Sequence, residues 1–268
     1  MPLRLSQTFR AALSASDRPL AGIWVCSGSP LVAEICAGSG LDWTLIDMEH
    51  APNGLESVLA QLQAVAAYPI TPVVRVPSND PVVIKQVLDL GAQNLLVPMV
   101  SSKADAEAAV SAVRYPPRGQ RGVGSALGRS ARWNRVDGYL ADADQHVSLF
   151  VQIETAAGVD AAAEIACVDG VDGVFVGPSD LAASLGLLGQ QTHPDVIAAV
   201  HRTFEAVRAA GKPVGVNAFD PEAAQSYLDA GASFLLVAAD VSILARSSEA
   251  LAARWSPAVT AETERASY

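Results

Sequence analysis

Eight short apolar runs recur along this chain at intervals of roughly 25–35 residues, with alanine-rich helical stretches between them. No other feature limits the fold as tightly. The runs are Ala21–Cys26, Trp43–Met48, Thr71–Val76, Asn94–Met99, Leu149–Glu154, Gly173–Gly177, Pro213–Asn217 and Phe234–Ala239. They read as parallel strands buried on both faces beneath helices. Helices are predicted at Pro30–Ala37, Leu55–Ala67, Pro81–Leu90, Ala104–Val113, Val159–Ala166, Pro194–Ala210 and Pro221–Ala230. Ser29-Pro30, Asp80-Pro81 and Asp220-Pro221 supply start signals, while Gly91, Gly211 and Gly231 follow helix ends. Eight repeats in 268 residues predict one α/β domain, a (β/α)8 TIM barrel with its core over about residues 20–240. A doubly wound sheet is the competing arrangement, but Gly22 and Gly28 do not form the glycine-rich first turn it uses.

Two segments break the rhythm. Residues 115–144 form a long connection between the fourth and fifth strands, and connections of that length are commonly functional or interfacial. Val241–Trp255 is amphipathic, and the polar end that follows, Ala261–Tyr268, is expected to be loose.

Half of the residues are hydrophobic and 17% are charged, which is ample for a large core. A net charge of −10 without a basic cluster argues against nucleic acid or an anionic membrane as a partner. No run approaches the roughly 18 apolar residues of a membrane span, and the N-terminus lacks a signal-peptide stretch. Cys26, Cys36 and Cys167 have no metal-like spacing and read as reduced, mostly buried thiols, so a cytoplasmic location is expected.

In such a barrel all strand C-termini open onto one face, and that face carries the chemistry. Three strand ends here bear ionisable groups: Asp47, Glu49 and His50 after the second, Glu154 at the fifth, Asp180 after the sixth. Glu154 and Asp180 brought together repel one another unless a cation intervenes. Oxygen donors favour a hard ion such as Mg2+ or Mn2+, although two solvated or salt-bridged acids are the alternative. Ser179, after Pro178, reads as a helix cap that turns free N–H groups toward the mouth, where a carboxylate would fit. A plain capped helix is the other reading. Arg75 lies inside an apolar strand and needs a partner, Asp47 or Glu49, unless it serves to stabilise negative charge on a substrate. His50, with acids beside it, is placed to act as a base near neutral pH. His146, His193 and His201 receive no role. Lys85, Lys103 and Lys212 stand at no strand end, which argues against a Schiff-base mechanism.

The segments WTLIDMEHAPN (43–53), PVVRVP (72–77), VQIET (151–155) and VFVGPSDLAASLG (174–186) together resemble the HpcH/HpaI aldolases, and the likeness runs from about Gly22 to Trp255. The resemblance implies a barrel of the phosphoenolpyruvate/pyruvate type. It also implies a class II aldolase that cleaves 4-hydroxy-2-oxo acids to pyruvate and an aldehyde. By the same resemblance Glu154 and Asp180 hold a divalent metal ion (Mg2+, Mn2+ or Co2+), and His50 with Asp47 forms a catalytic dyad. Arg75 steadies the pyruvate enolate. Gln152, Trp24 and the turn Gly177, Pro178, Ser179 and Asp180 meet the substrate, with Ser125 and residues 122–133 at the pocket rim or an interface. A homohexamer, a dimer of trimers, is implied as well, with Val241–Trp255 packed on a neighbouring subunit. A CoA-thioester lyase of the citrate-lyase β type is an alternative, for which Arg114, Arg118 and Arg121 offer the little basic surface there is. Oxaloacetate decarboxylation would use the same enolate. A keto-acid sensor without turnover is the non-enzymatic reading.

Overall fold

A computed structural model of the chain describes residues 3–256; the end expected to be loose, 261–268, lies outside them. Eight parallel strands close into a barrel in sequence order: β1 (Leu20–Val25), β2 (Trp43–Asp47), β3 (Thr71–Arg75), β4 (Asn94–Val97), β5 (Ser148–Ile153), β6 (Gly173–Val176), β7 (Val214–Asn217) and β8 (Phe234–Ala239). Each lies within two residues of its predicted bounds. The helices are α1 (Phe9–Ala15), α2 (Pro30–Ala37), α3 (Leu55–Ala64), α4 (Pro81–Asp89), α5 (Lys103–Val113), α6 (Tyr139–Asp142), α7 (Ala156–Asp160), α8 (Ala162–Ala166), α9 (Pro178–Ser184), α10 (Pro194–Ala209), α11 (Pro221–Asp229) and α12 (Asp240–Trp255). Ser29, Asp80 and Asp220 cap α2, α4 and α11 through their side chains, each ahead of its proline. The expected helix over 159–166 is two short ones, because Ala161 leaves helical geometry at φ −91°, ψ 3°.

Large rings and glycines share the barrel interior. Gly22 is the register partner of Trp43, Gly173 of Phe150 and Gly215 of Phe234. At each glycine a Cβ would fall inside the neighbouring ring. The ring takes the volume that two ordinary side chains would otherwise divide. Below these rings sits α1, which the strand–helix rhythm does not foretell. Its Phe9 is 1% exposed and lies 4.9, 5.1 and 5.3 Å from the rings of Trp43, Phe150 and Phe234. The Phe9 N–H donates to Asn94 Oδ1 at 2.7 Å, so α1 is bolted across the N-terminal end of the barrel.

The connection 115–144 follows α5, and therefore leaves from the face opposite the mouth. It wraps the end of α4, where fully buried Arg121 lies over the Tyr115 ring and 3.6 Å from Asp89. Arg132, Trp133 and Asn134 take φ values of 50°, 55° and 64° in succession. Left-handed backbone costs L residues roughly 1–2 kcal/mol each, so packing must hold this turn.

Past buried Asp240, every residue of α12 is exposed except half-buried Ala245. Among the described residues no helix is long and apolar enough to cross a membrane. All three thiols are free; Cys36 is buried and Cys26 half-buried, but Cys167 is exposed, because it ends α8 on the solvent side.

Phe9→Ala is expected to lower unfolding stability by about 3–5 kcal/mol, since it removes a ring from a packed site with no room to collapse. Urea unfolding followed by tryptophan fluorescence measures this.

Candidate active site

The site is built from strand ends. Asp47 and Arg75 are register partners on β2 and β3, so a carboxylate and a guanidinium arrive side by side. Arg75 Nε donates to Asp47 Oδ1 at 2.7 Å and Nη2 to Oδ2 at 2.9 Å, a bidentate pair buried at the barrel mouth. Glu49 Oε2 stands 2.8 Å from Arg75 Nη1, and the Trp24 ring lies 4.3 Å beneath the guanidinium. Burial alone would lower the Arg75 pKa, but the charges of Asp47, Glu49 and Glu154 more than offset it. The Asp47 carboxylate also accepts the backbone N–H groups of Glu49 (3.0 Å) and His50 (3.2 Å), which fixes the turn after β2.

Glu154 occupies the opposite wall and is 2% exposed. Its Oε1 accepts from the Met99 N–H at 2.7 Å, and Oε2 accepts from Gln152 Nε2. Met99 reaches it from a left-handed backbone, φ 56°, a strain of the kind that gathers at working sites. Gly177 closes over the acid: a Cβ there would come within 2.8 Å of Glu154 Oε2. Burial, reinforced by the charges of Glu49 and Asp180, pushes Glu154 up to about 7. Burial raises Glu49 as well, with Arg75 and His50 opposing the shift.

A cavity of about 370 Å3 opens between these walls and is lined by Trp24, Asp47, His50, Arg75, Gln152, Gly177, Pro178, Ser179 and Asp180. Glu154 lies just beneath it. The strand-end pattern does not point to the rest of the lining, which includes Cys26, Phe175, Asn217, Phe219, Val241 and Ser242. Asn217 Oδ1 accepts from Trp24 Nε1 at 2.8 Å, holding the indole in place.

Three expectations change here. The Asp47 and His50 side chains form no pair, because the Arg75 fork occupies the carboxylate; the His50 ring, largely exposed, comes to 4.0 Å from Glu49 Oε2 instead. The residue that caps α9 is Gly177, not Ser179, which sits one residue beyond Pro178 inside the helix. Ser125 and residues 122–133 lie on the outer wall by α4, where Gly122 approaches Lys85 and Gly124 approaches Asp89, rather than at this chain's pocket rim.

Whether these residues suit a divalent ion is decided by the donors themselves. Among the described residues no three of His, Cys, Asp and Glu are grouped to hold a metal unaided. Two mutually repelling carboxylates and a buried Gln152 Oε1 with no hydrogen-bond partner form an oxygen-only set. A magnesium-like ion is ordinarily held by one or two carboxylates, with waters and substrate completing its shell, so the fit is good.

A carboxylate-locked arginine and a buried acid, Glu154, with exposed Asp180 near it, at the C-terminal mouth of a (β/α)8 barrel define an enzyme site. The chain belongs to the HpcH/HpaI aldolase/citrate lyase family, whose model matches residues 20–247. It is 49% identical to the 4-hydroxy-2-oxo-heptane-1,7-dioate aldolase of Escherichia coli over 257 residues, 96% of this chain and 98% of that one. It is 52% identical to the hydroxypyruvate/pyruvate aldolase of Deinococcus radiodurans over 260 residues, 97% of this chain and 94% of that one. A crystal structure of a family protein from Burkholderia cenocepacia J2315 matches with a TM-score of 0.88 at 43% identity, covering 93% of this chain and 99% of that chain. By this kinship the chain is an aldolase, a carbon–carbon lyase.

Glu154 ionises near 4.5 when unfolded and near 7 in the fold. Its contribution to stability is therefore complete below pH 4.5 and is lost as pH rises through 7, roughly 3 kcal/mol in all. Metal-free protein is expected to lose stability across that window. Urea unfolding at several pH values measures this, and Glu154→Gln should flatten the slope.

Proposed function

We propose that this protein is a divalent-metal-dependent aldolase that reversibly cleaves 4-hydroxy-2-oxo acids to pyruvate and an aldehyde. One observation carries the reading: Arg75, held by two carboxylates, lines the same pocket as Asp180, with the buried Glu154 directly behind the lining residues Gln152 and Gly177. Glu154 and Asp180 would hold the ion, which when bound supplies Lewis acidity toward the oxygens of the oxo acid. Asp47 acts as a positioning residue: it binds Nε and Nη2 of Arg75 while Glu49 stands against Nη1, which leaves one N–H on each of Nη1 and Nη2 for a substrate oxygen. Those groups stabilise the negative charge that develops as the C3–C4 bond breaks. In the cleavage direction His50 takes the proton of the 4-hydroxyl, the aldehyde departs, and protonated His50 returns that proton to C3 of the pyruvate enolate. In condensation His50 removes a methyl proton from pyruvate instead. Gln152 and the turn Gly177-Pro178-Ser179 border the oxo-acid end, and Trp24 forms the floor beneath Arg75.

The CoA-thioester reading draws no support from the pocket, whose basic lining is Arg75 and His50. Arg114 and Arg118 are instead paired with Asp144 and Asp169, and Arg121 is buried near Asp89. Assembly into a hexamer through α12 belongs to the same proposal. Val241, Leu244, Leu251 and Trp255 share one exposed stripe of a helix that otherwise stands clear of the barrel. An isolated helix of this length is marginal in water, so a neighbouring subunit is the natural cover. Free thiols accord with a reducing cytoplasm.

Pyruvate release from 4-hydroxy-2-oxo acids, coupled to lactate dehydrogenase, tests the proposal. Activity should vanish with EDTA and return with Mg2+, Mn2+ or Co2+. His50→Ala should lower kcat by about 10²–10⁴-fold with metal affinity retained. Turnover that EDTA does not touch, or full activity in the His50 variant, would overturn the respective assignment.

A further inference from the structure

Opposite the mouth, a cavity of about 240 Å3 lies beside the starts of β3 and β4, and Arg129 and Arg132 line it. The two guanidiniums converge over one point: a Cβ on Gly91 would lie 2.8 Å from Arg129 Nη1 and 2.9 Å from Arg132 Nη1. Each spends a donor on a backbone carbonyl, Arg129 on Leu90 (3.0 Å) and Arg132 on Arg129 itself (2.6 Å). The first bond suits the C-terminal end of α4, but neither bond neutralises a charge. No residue lining the cavity is acidic; its polar members include Ser6, Gln7, Thr71 and Gln93. Among the described residues neither arginine pairs with a carboxylate, in a chain whose net charge is −10. Both are half-buried, and burial pulls both below the usual arginine range, with the charge of Arg132 adding to the shift at Arg129.

Like charges held together out of water without a counter-charge are costly, and the strained turn at 132–134 holds Arg132 there nonetheless. We propose that Arg129 and Arg132 form a binding site for a small dianionic oxyanion on the face opposite the catalytic mouth. Guanidinium forks match the geometry of tetrahedral oxyanions, and the cavity is smaller than drug-sized ligands require. The site is independent of the aldolase chemistry, since Arg75 and Glu154 stand at the other end of the strands.

The test uses sulfate as the probe, titrated at constant ionic strength into the metal-loaded protein, with calorimetry and thermal unfolding as readouts. Saturable binding that raises the unfolding midpoint is expected in the wild type and in Arg135→Gln, a surface control. Arg129→Gln and Arg132→Gln should each weaken it at least tenfold while Mg2+-dependent pyruvate release persists. Should either variant fail to fold, wild-type competition decides the matter: saturating pyruvate should leave sulfate affinity unchanged. Displacement of sulfate by pyruvate, or a non-saturating salt effect equal in all variants, would overturn the proposal.

Discussion

The Asp47–Arg75 pair is the contact on which the mouth of this barrel depends. It arises from register, since two strands in parallel alignment deliver an acid and a base at the same height. It is then multiplied by what the carboxylate does besides pairing. The same two oxygens receive the N–H groups of Glu49 and His50, so one buried carboxylate orients both a cation and a turn. Removing Asp47 would leave the guanidinium with Glu49 as its nearest counter-charge, and the turn that presents His50 would lose both its anchors. A buried ion pair is weak evidence for stability, but a carboxylate that fixes a guanidinium and two backbone N–H groups at once is strong evidence for geometry.

The opposite wall works by a different principle. Glu154 is not answered by a cation of the chain; it is held by a backbone N–H and an amide, covered by a glycine, and crowded by other acids. The protein has stored electrostatic tension there instead of relieving it. One wall of the pocket is neutralised from within, and the other carries an acid with no salt-bridge partner among the described residues. That asymmetry gives the pocket its polarity across a few ångströms.

Strand positions were legible in the sequence because eight apolar runs leave few alternatives, and Asp47, Arg75, Glu154 and Asp180 were legible because charge at a strand end is conspicuous. What escaped notice depends on three dimensions. Nothing in a linear reading says that Asn217 of β7 will hold the Trp24 indole of β1, or that a carboxylate between an arginine and a histidine will choose the arginine. The α1 plug was invisible for a similar reason: seven residues with one large ring are unremarkable until Trp43, Phe150 and Phe234 surround that ring. Proline-led helix starts were read well, yet Gly177 displaced Ser179 at α9, since tight cover over Glu154 admits no side chain.

The ring-and-glycine pairs inside the barrel have a consequence for how such a chain drifts over generations. Trp43 with Gly22, Phe150 with Gly173, and Phe234 with Gly215 each behave as a single unit of volume divided unequally between two strands. A lineage that enlarges the glycine first meets a collision, and one that shrinks the ring first opens a void. Either intermediate is handicapped, so the two positions are free to change only together. The barrel interior is thereby inherited in couples, while the exposed faces of the surrounding helices vary one residue at a time.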